Sequence, residues 1–263
     1  MIPLLAAHHA TRGGFARGRR HWSRLVKCVF TDLFTPPAPR LPIIGRMSIG
    51  TLPLLGRRRN GALLLALLLL APLAHAGEYR FDPVHSSVVF FVDHDGYSDA
   101  VGRLKIARGW FRFDERDWAD SKVVADIALD SVDMGDKGWD RVVAGADFLD
   151  AKAHPYAHFA STSVEKTGAD TGILYGQLTL RGHTEGIAFP FRLNKRAFTI
   201  YGFHTVAGFT GLASVDRKLW HMGAFDSVVG VKVKVLLEIE GIADDNAQHA
   251  YAAAAARDKG AKP

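Results

Sequence analysis

Between residues 231 and 239 apolar and charged side chains alternate, broken only at Leu236, with Val231, Val233, Val235, Leu237 and Ile239 on one side and Lys232, Lys234 and Glu238 on the other. Successive side chains of an extended chain point to opposite faces, so this period of two prescribes a strand that is greasy on one face and wet on the other. The same pattern recurs at Val123, Ala125, Ile127 and Leu129, at Leu174, Gly176, Leu178 and Leu180, and at Ile187, Phe189, Phe191 and Leu193. Weaker strand signals lie at residues 87–93, 103–113, 157–165 and 206–216. Turn formers separate them: Asp95-Gly96, residues 114–117, residues 167–171 and Arg181-Gly182. Short connections make neighbours antiparallel. Residues 136–148, with Val142 and Val143 among polar neighbours, read as a helical crossover of one or two turns, and a second short helix is expected after Arg217. About eight strands result, enough either to close into a barrel or to pack as two sheets, and periodicity alone does not choose. Gly102, Gly109, Gly176 and Gly208 fall inside strand-like stretches, where they suit the bends that roll a sheet.

The front of the chain has a different character. Arg57, Arg58 and Arg59 precede an apolar run at residues 61–70, then Pro72 and the small-residue ending Ala74-His75-Ala76. This is the form of a secretory signal, with cleavage expected before Gly77 and no stable membrane span afterwards. Met47 supplies an ordinary start for it. The organisation expected is therefore an upstream, disordered leader over 1–46, a signal peptide over 47–76, a β domain over 77–243 and an Ala- and Lys-rich tail over 244–263, frayed or loosely helical.

Charge follows the same division. Of the 33 Lys and Arg, eleven precede Gly77, as does only one of the 27 acids, Asp32, so the rest of the chain carries four more acids than bases. The basic excess that would suggest nucleic acid belongs to the leader, and no nucleic-acid partner is expected. The single cysteine, Cys28, also lies there, which excludes disulfides and thiol catalysis from the body. No Gly-x-Ser-x-Gly elbow or phosphate loop occurs after residue 76, so an enzyme is not expected. The seven histidines of residues 77–243, His85, His94, His154, His158, His183, His204 and His221, leave a His-based metal site as an alternative. His154 and His158 are four apart, but Pro155 between them precludes a shared helix face. A ligand-free stress or interaction module is the other alternative, and no cofactor is expected.

Several separated motifs together resemble the YceI family. They are Tyr79-x-x-Asp82-x-x-His85-Ser86-x-Val88-x-Phe90, His94-x-Gly96-x-Ser98 with Gly102, Gly109 with Phe113-Asp114, and Ser131-Val132-Asp133. Asp147-Phe148-Leu149-Asp150-Ala151, Pro155 before Phe159-x-Ser161-Thr162, and Gly176-x-Leu178-Thr179-Leu180-x-Gly182-x-Thr184 follow in order. The resemblance runs from about Tyr79 to Ile242. It implies an all-β fold, an antiparallel eight-stranded lipocalin-like barrel with one or two short helices in its connections. It further implies export to the periplasm and a long apolar interior for a polyisoprenoid or similar long-chain lipid, bound, carried or stored. The sequence departs from the family at Arg217-Lys218-Leu219-Trp220-His221-Met222 and at Trp139-Asp140-Arg141-Val142-Val143, both in connections, which bears on the shape of the cavity mouth.

Alternation and resemblance together nominate the lipid-facing residues: Val88, Phe90, Val92, Ile106, Phe111, Ile127, Phe148, Phe159, Leu178, Phe189, Phe191, Val233 and Val235, with His85 and His94 as candidates for a head group. A homodimer is left open.

Overall fold

The computed structural model describes residues 77–260; the leader and signal expected over residues 1–76 lie outside them. The described chain runs β1 (Gly77–Phe81), β2 (Ser87–His94), β3 (Ser98–Phe113), a 3-10 turn (Trp118–Asp120), β4 (Lys122–Asp133), α1 (Lys137–Ala144), β5 (Tyr156–Lys166) and β6 (Thr171–Leu180). It continues through β7 (His183–Thr199), β8 (His204–Asp216), a second 3-10 turn (Arg217–Trp220), β9 (Val229–Ala243) and α2 (Ala247–Gly260).

All strand pairs are antiparallel, in the order β1-β3-β2-β9-β8-β7-β6-β5-β4, and pairing of β3 with β4 closes the ring. Closure decides for the barrel over the two-sheet alternative, since a sandwich would leave edges unpaired. The nine strands fill eight positions, because β1 and β2 both lie between β3 and β9 and together make one interrupted strand. At the interruption Ser86 Oγ donates to the Glu240 carbonyl, and Asp82 N donates to the same carbonyl, which ties the break to β9.

Curvature comes from bulges. Ile106 pairs with Ile127 and Arg108 with Asp126, so Ala107 is an extra residue on β3. Thr162 on β5 and Asn194 on β7 are extra in the same way. Each inserted residue reverses which parity faces inward and bends its strand. The expected role of the glycines is thereby refined. Gly208 lies opposite the Asn194 bulge and Gly109 two residues beyond Ala107, whereas Gly102 and Gly176 make room for rings. A Cβ on Gly102 would lie 2.2 Å from the Phe90 ring, and one on Gly176 2.4 Å from the Phe159 ring. The tight turns at Asp95-Gly96 and Arg181-Gly182 have positive φ at both residues, the backbone that suits the twist of a hairpin.

Aromatic side chains fill one end of the barrel. Tyr79 stacks on Phe111 at 4.8 Å, Phe113 meets Phe209 edge-on at 5.1 Å, and Trp118 covers Phe113 at 5.3 Å. At the other end α1 forms the expected crossover. Asp136 caps it by accepting from the Gly138 and Trp139 amides.

The tail is a helix fastened to the outside of the barrel. On α2, Tyr251 donates to Asp126 of β4 at 3.4 Å, and Asp258 pairs with Arg108 of β3. Asp126, almost wholly buried, is also bound by Arg108 Nε at 2.6 Å and paired with His158 Nδ1 at 2.6 Å. Burial raises the carboxyl's pKa, but the bonds from His158 and Arg108 outweigh it and hold Asp126 below the ordinary range. Neither helix is long and apolar enough to cross a membrane.

Candidate lipid cavity

Above the aromatic plug the inward faces of the strands leave a cavity of about 570 Å³. Every strand from β2 to β9 contributes apolar side chains to its wall, because alternate residues point inward, with the parity changing at the bulges of β3 and β5. At about 30 Å³ for each water-sized group, the space holds roughly twenty non-hydrogen atoms. That volume lies within the range usual for small-molecule pockets, roughly 300–1,000 Å³.

All thirteen apolar residues nominated from sequence line this cavity, Val88, Phe90, Val92, Ile106, Phe111, Ile127, Phe148, Phe159, Leu178, Phe189, Phe191, Val233 and Val235. His94 lines it too, at the mouth, with its ring 5.2 Å from that of Trp139. His85 does not. It stands on the outer surface at the β1–β2 break, its side chain 61% exposed, with Nδ1 3.0 Å from Asp82 Oδ2. The reason is local: Asp82 Oδ1 accepts the amides of Val84 and His85 and turns the chain outward there. Hydrogen bonding to Asp82 raises the His85 pKa. The Asp82 carboxyl is lowered by His85 and these amides against the opposing effect of burial. Glu240 completes this cluster at 3.9 Å from His85. The three carry possible metal-ligating atoms within 4.8 Å of one another, outside the cavity. His158 and His154 are not brought together around an ion: His158 pairs with Asp126, and His154 lies beside the β6–β7 turn at Gly182.

The mouth is built from residues that periodicity did not nominate. Trp139 and Val142 of α1, with Phe225 and Val228 of the β8–β9 connection, line the cavity and are also 43%, 58%, 58% and 40% exposed. The apolar interior therefore reaches the outer surface along this rim, where Asp93 and His94 are exposed polar members of the lining. Both departures from the family pattern fall here. Trp139, Val142 and Val143 face the cavity from α1, while Trp220 is fully buried with its indole N–H donating to the Leu178 carbonyl.

Two polar groups in the wall stand out against this surface. Ser121 is buried, and its hydroxyl has no hydrogen-bond partner among the described residues. Arg217 is only 2% exposed and lies over the Phe148 ring at 5.8 Å. Its Nε donates to the Gly230 carbonyl at 3.0 Å, Nη2 to Val229 at 2.8 Å, and Nη1 to Met222. Burial draws its pKa below that of a free guanidinium.

A closed antiparallel barrel, plugged at one end and leading through a largely apolar mouth to an apolar interior, defines a barrel of the small-molecule-binding class. The chain belongs to the YceI-like family, whose domain matches residues 79–241. Protein YceI of Escherichia coli is 32% identical over 184 residues, covering 69% of this chain and 95% of that protein. A UPF0312 protein of Pectobacterium carotovorum is 32% identical over 186 residues, covering 68% and 96%. Among solved structures, BcnA of Burkholderia cenocepacia superposes with a TM-score of 0.55 at 24% identity, covering 61% of this chain and 98% of that one. A Campylobacter jejuni YceI protein superposes with a TM-score of 0.53 at 20% identity, covering 56% and 87%.

Proposed function

We propose that the barrel binds the hydrocarbon chain of a polyisoprenoid or similar long-chain amphiphilic lipid, and stores or carries it in the periplasm after removal of residues 47–76. The observation that carries this reading is the cavity itself, about 570 Å³ behind a wall whose side chains are apolar apart from a handful near its ends. Moving hydrocarbon from water into such a space is favourable by about 0.8 kcal/mol per CH₂, so each five-carbon isoprene unit contributes about 4 kcal/mol at most. The same lipid is already dry in a bilayer, which makes the exchange between bilayer and barrel nearly balanced. That balance suits a carrier.

The test is organic extraction of the protein purified from the periplasm, followed by mass spectrometry. A co-purified long-chain lipid supports the reading. Absence of any lipid, together with failure of the purified protein to take up the twenty-carbon alcohol geranylgeraniol, refutes it.

A further inference from the structure

Away from the cavity, the break between β1 and β2 gathers Asp82, His85 and Glu240 on the outer surface. The backbone there is fixed by its own hydrogen bonds. Asp82 N donates to the Glu240 carbonyl at 2.8 Å, Ser86 Oγ donates to the same carbonyl at 3.0 Å, and Ser86 N donates to the Asp82 carbonyl at 3.0 Å. Asp82 and Glu240 are thereby held side by side, although they come from opposite ends of the domain. Asp82 Oδ1 accepts the Val84 and His85 amides, which orients the carboxylate and leaves Oδ2 3.0 Å from His85 Nδ1. Glu240 Oε2 stands 3.9 Å from the same nitrogen. Zinc holds its nitrogen and oxygen ligands at about 2.0–2.2 Å in a tetrahedron, which puts neighbouring ligand atoms about 3.3–3.6 Å apart. The two measured separations bracket that spacing, and all three ligating atoms lie within 4.8 Å of one another. A swing of roughly 1 Å at the tip of the half-exposed Glu240 side chain closes the set. Hydrogen bonding to Asp82, then its charge and that of Glu240, already raise the pKa of His85, so the site draws a proton to the place where a cation would sit.

The geometry points to a Zn²⁺ site on the outside of the barrel, with His85 Nδ1, Asp82 Oδ2 and Glu240 Oε2 as three ligands and water as the fourth. The donor set selects the metal. Calcium and magnesium take oxygen ligands, six or more in number, whereas one imidazole with two carboxylates suits zinc. The amides on Asp82 Oδ1 are the outer partners that hold a ligating carboxylate in place. All three residues also line a surface groove shared with Tyr201 and His204 of the β7–β8 hairpin, which gives the fourth ligand access from solvent. An ion bound there would fasten the interrupted strand to β9 by direct bonds. The site is independent of the lipid-binding reading, because it lies outside the cavity.

The test titrates zinc chloride by calorimetry into the untagged protein, purified from the periplasm, stripped with EDTA and exchanged into buffer at about pH 8, above the ordinary range of histidine. The expected result is one equivalent bound with a Kd of about 50 µM or tighter. His85→Gln and Glu240→Gln each remove one ligand and should weaken that binding roughly fivefold or more, with far-UV circular dichroism as the check on folding. Either variant suffices where the other does not fold. His183 and His221, whose rings lie 3.8 Å apart, are the competing pair of imidazoles, and the double substitution His183→Gln with His221→Gln should leave zinc binding unchanged. Binding weaker than about 50 µM in the unaltered protein overturns the assignment. So does a loss of less than about fivefold in either folded single variant, or a loss confined to the His183 and His221 pair.

Discussion

Replacing Val235 by Trp should shorten the longest chain the barrel accepts. Val235 pairs with Phe90 of β2 and Ala213 of β8, and lines the cavity midway along β9 between Val229 and Ile239. The substitution adds about seven non-hydrogen atoms to a space for about twenty, which excludes roughly one isoprene unit from the interior. Full loss of that unit's burial is worth about 4 kcal/mol, and about half of it if the displaced end finds cover on the apolar rim. Two kcal/mol corresponds to a factor of about 30 in affinity. Val235→Trp should therefore weaken geranylgeraniol by about 30-fold or more and leave the ten-carbon alcohol geraniol within roughly twofold, read by displacement of N-phenyl-1-naphthylamine. Thermal unfolding checks that the barrel is intact. Equal weakening of both alcohols, or of neither, in a folded variant would mean that the chain does not lie along the tunnel, and the geometry argued for binding would be refuted.

Three other perturbations probe the frame around the cavity. Asp126 is held below the ordinary carboxyl pKa, so its contribution is present above that range and is lost as pH falls through its folded value; acid should loosen α2, and Asp126→Asn should flatten the acid limb of a urea midpoint measured against pH. Burial, then the neighbouring Asp126 charge, pushes the Tyr251 phenol up to about 12, so its contribution is full below pH 10 and declines from there towards pH 12. Absorbance titration should show a phenol ionising that late, and Tyr251→Phe should remove it. Gly176→Ala sets a methyl against the Phe159 ring and the Ala160 carbonyl and should cost about 1–3 kcal/mol in denaturant unfolding, a cost relieved in part in a Phe159→Leu background; additive effects would contradict the ring contact.

The strands that were plain in the sequence are those whose alternation runs unbroken across the stretch read. β4 shows Val123, Ala125, Ile127 and Leu129 inward, and β9 shows Val233, Val235, Leu237 and Ile239. β3 and β5 gave weaker signals for a physical reason. On β3 the inward set is Ala100, Leu104 and Ile106 before Ala107, and Phe111 and Phe113 after it. On β5 it is Ala157 and Phe159 before Thr162, and Val164 after it. A bulge costs nothing in apolar content but reverses the parity, so a counting argument sees noise where the chain bends. His85 stands with His94 as a head-group candidate in the sequence, where spacing carries no sign that Asp82 turns the backbone outward. Arg217 stands in a segment marked in the sequence by its departure from the family and by an expected short helix. Its burial depends on carbonyls up to thirteen residues away, a contact that no local pattern encodes.

Eight strands enclose an interior only just wide enough for side chains to fill, so a hollow barrel needs an explanation as much as a full one. Here the largest rings are drawn out of the way by two devices. Tyr79, Phe111, Phe113 and Trp118 crowd to one end, where edge and stacked contacts reward their company with each other. Higher in the barrel, Phe90 and Phe159 lie flat on the wall, each over a glycine that has no Cβ to hold it off. What remains between plug and mouth is lined mainly by Val, Leu, Ile and Ala, side chains too short to meet across the axis. The space is thus a consequence of where glycine is placed on neighbouring strands. The same placement that bares the wall leaves its lining without the contacts that side chains would otherwise make across the axis.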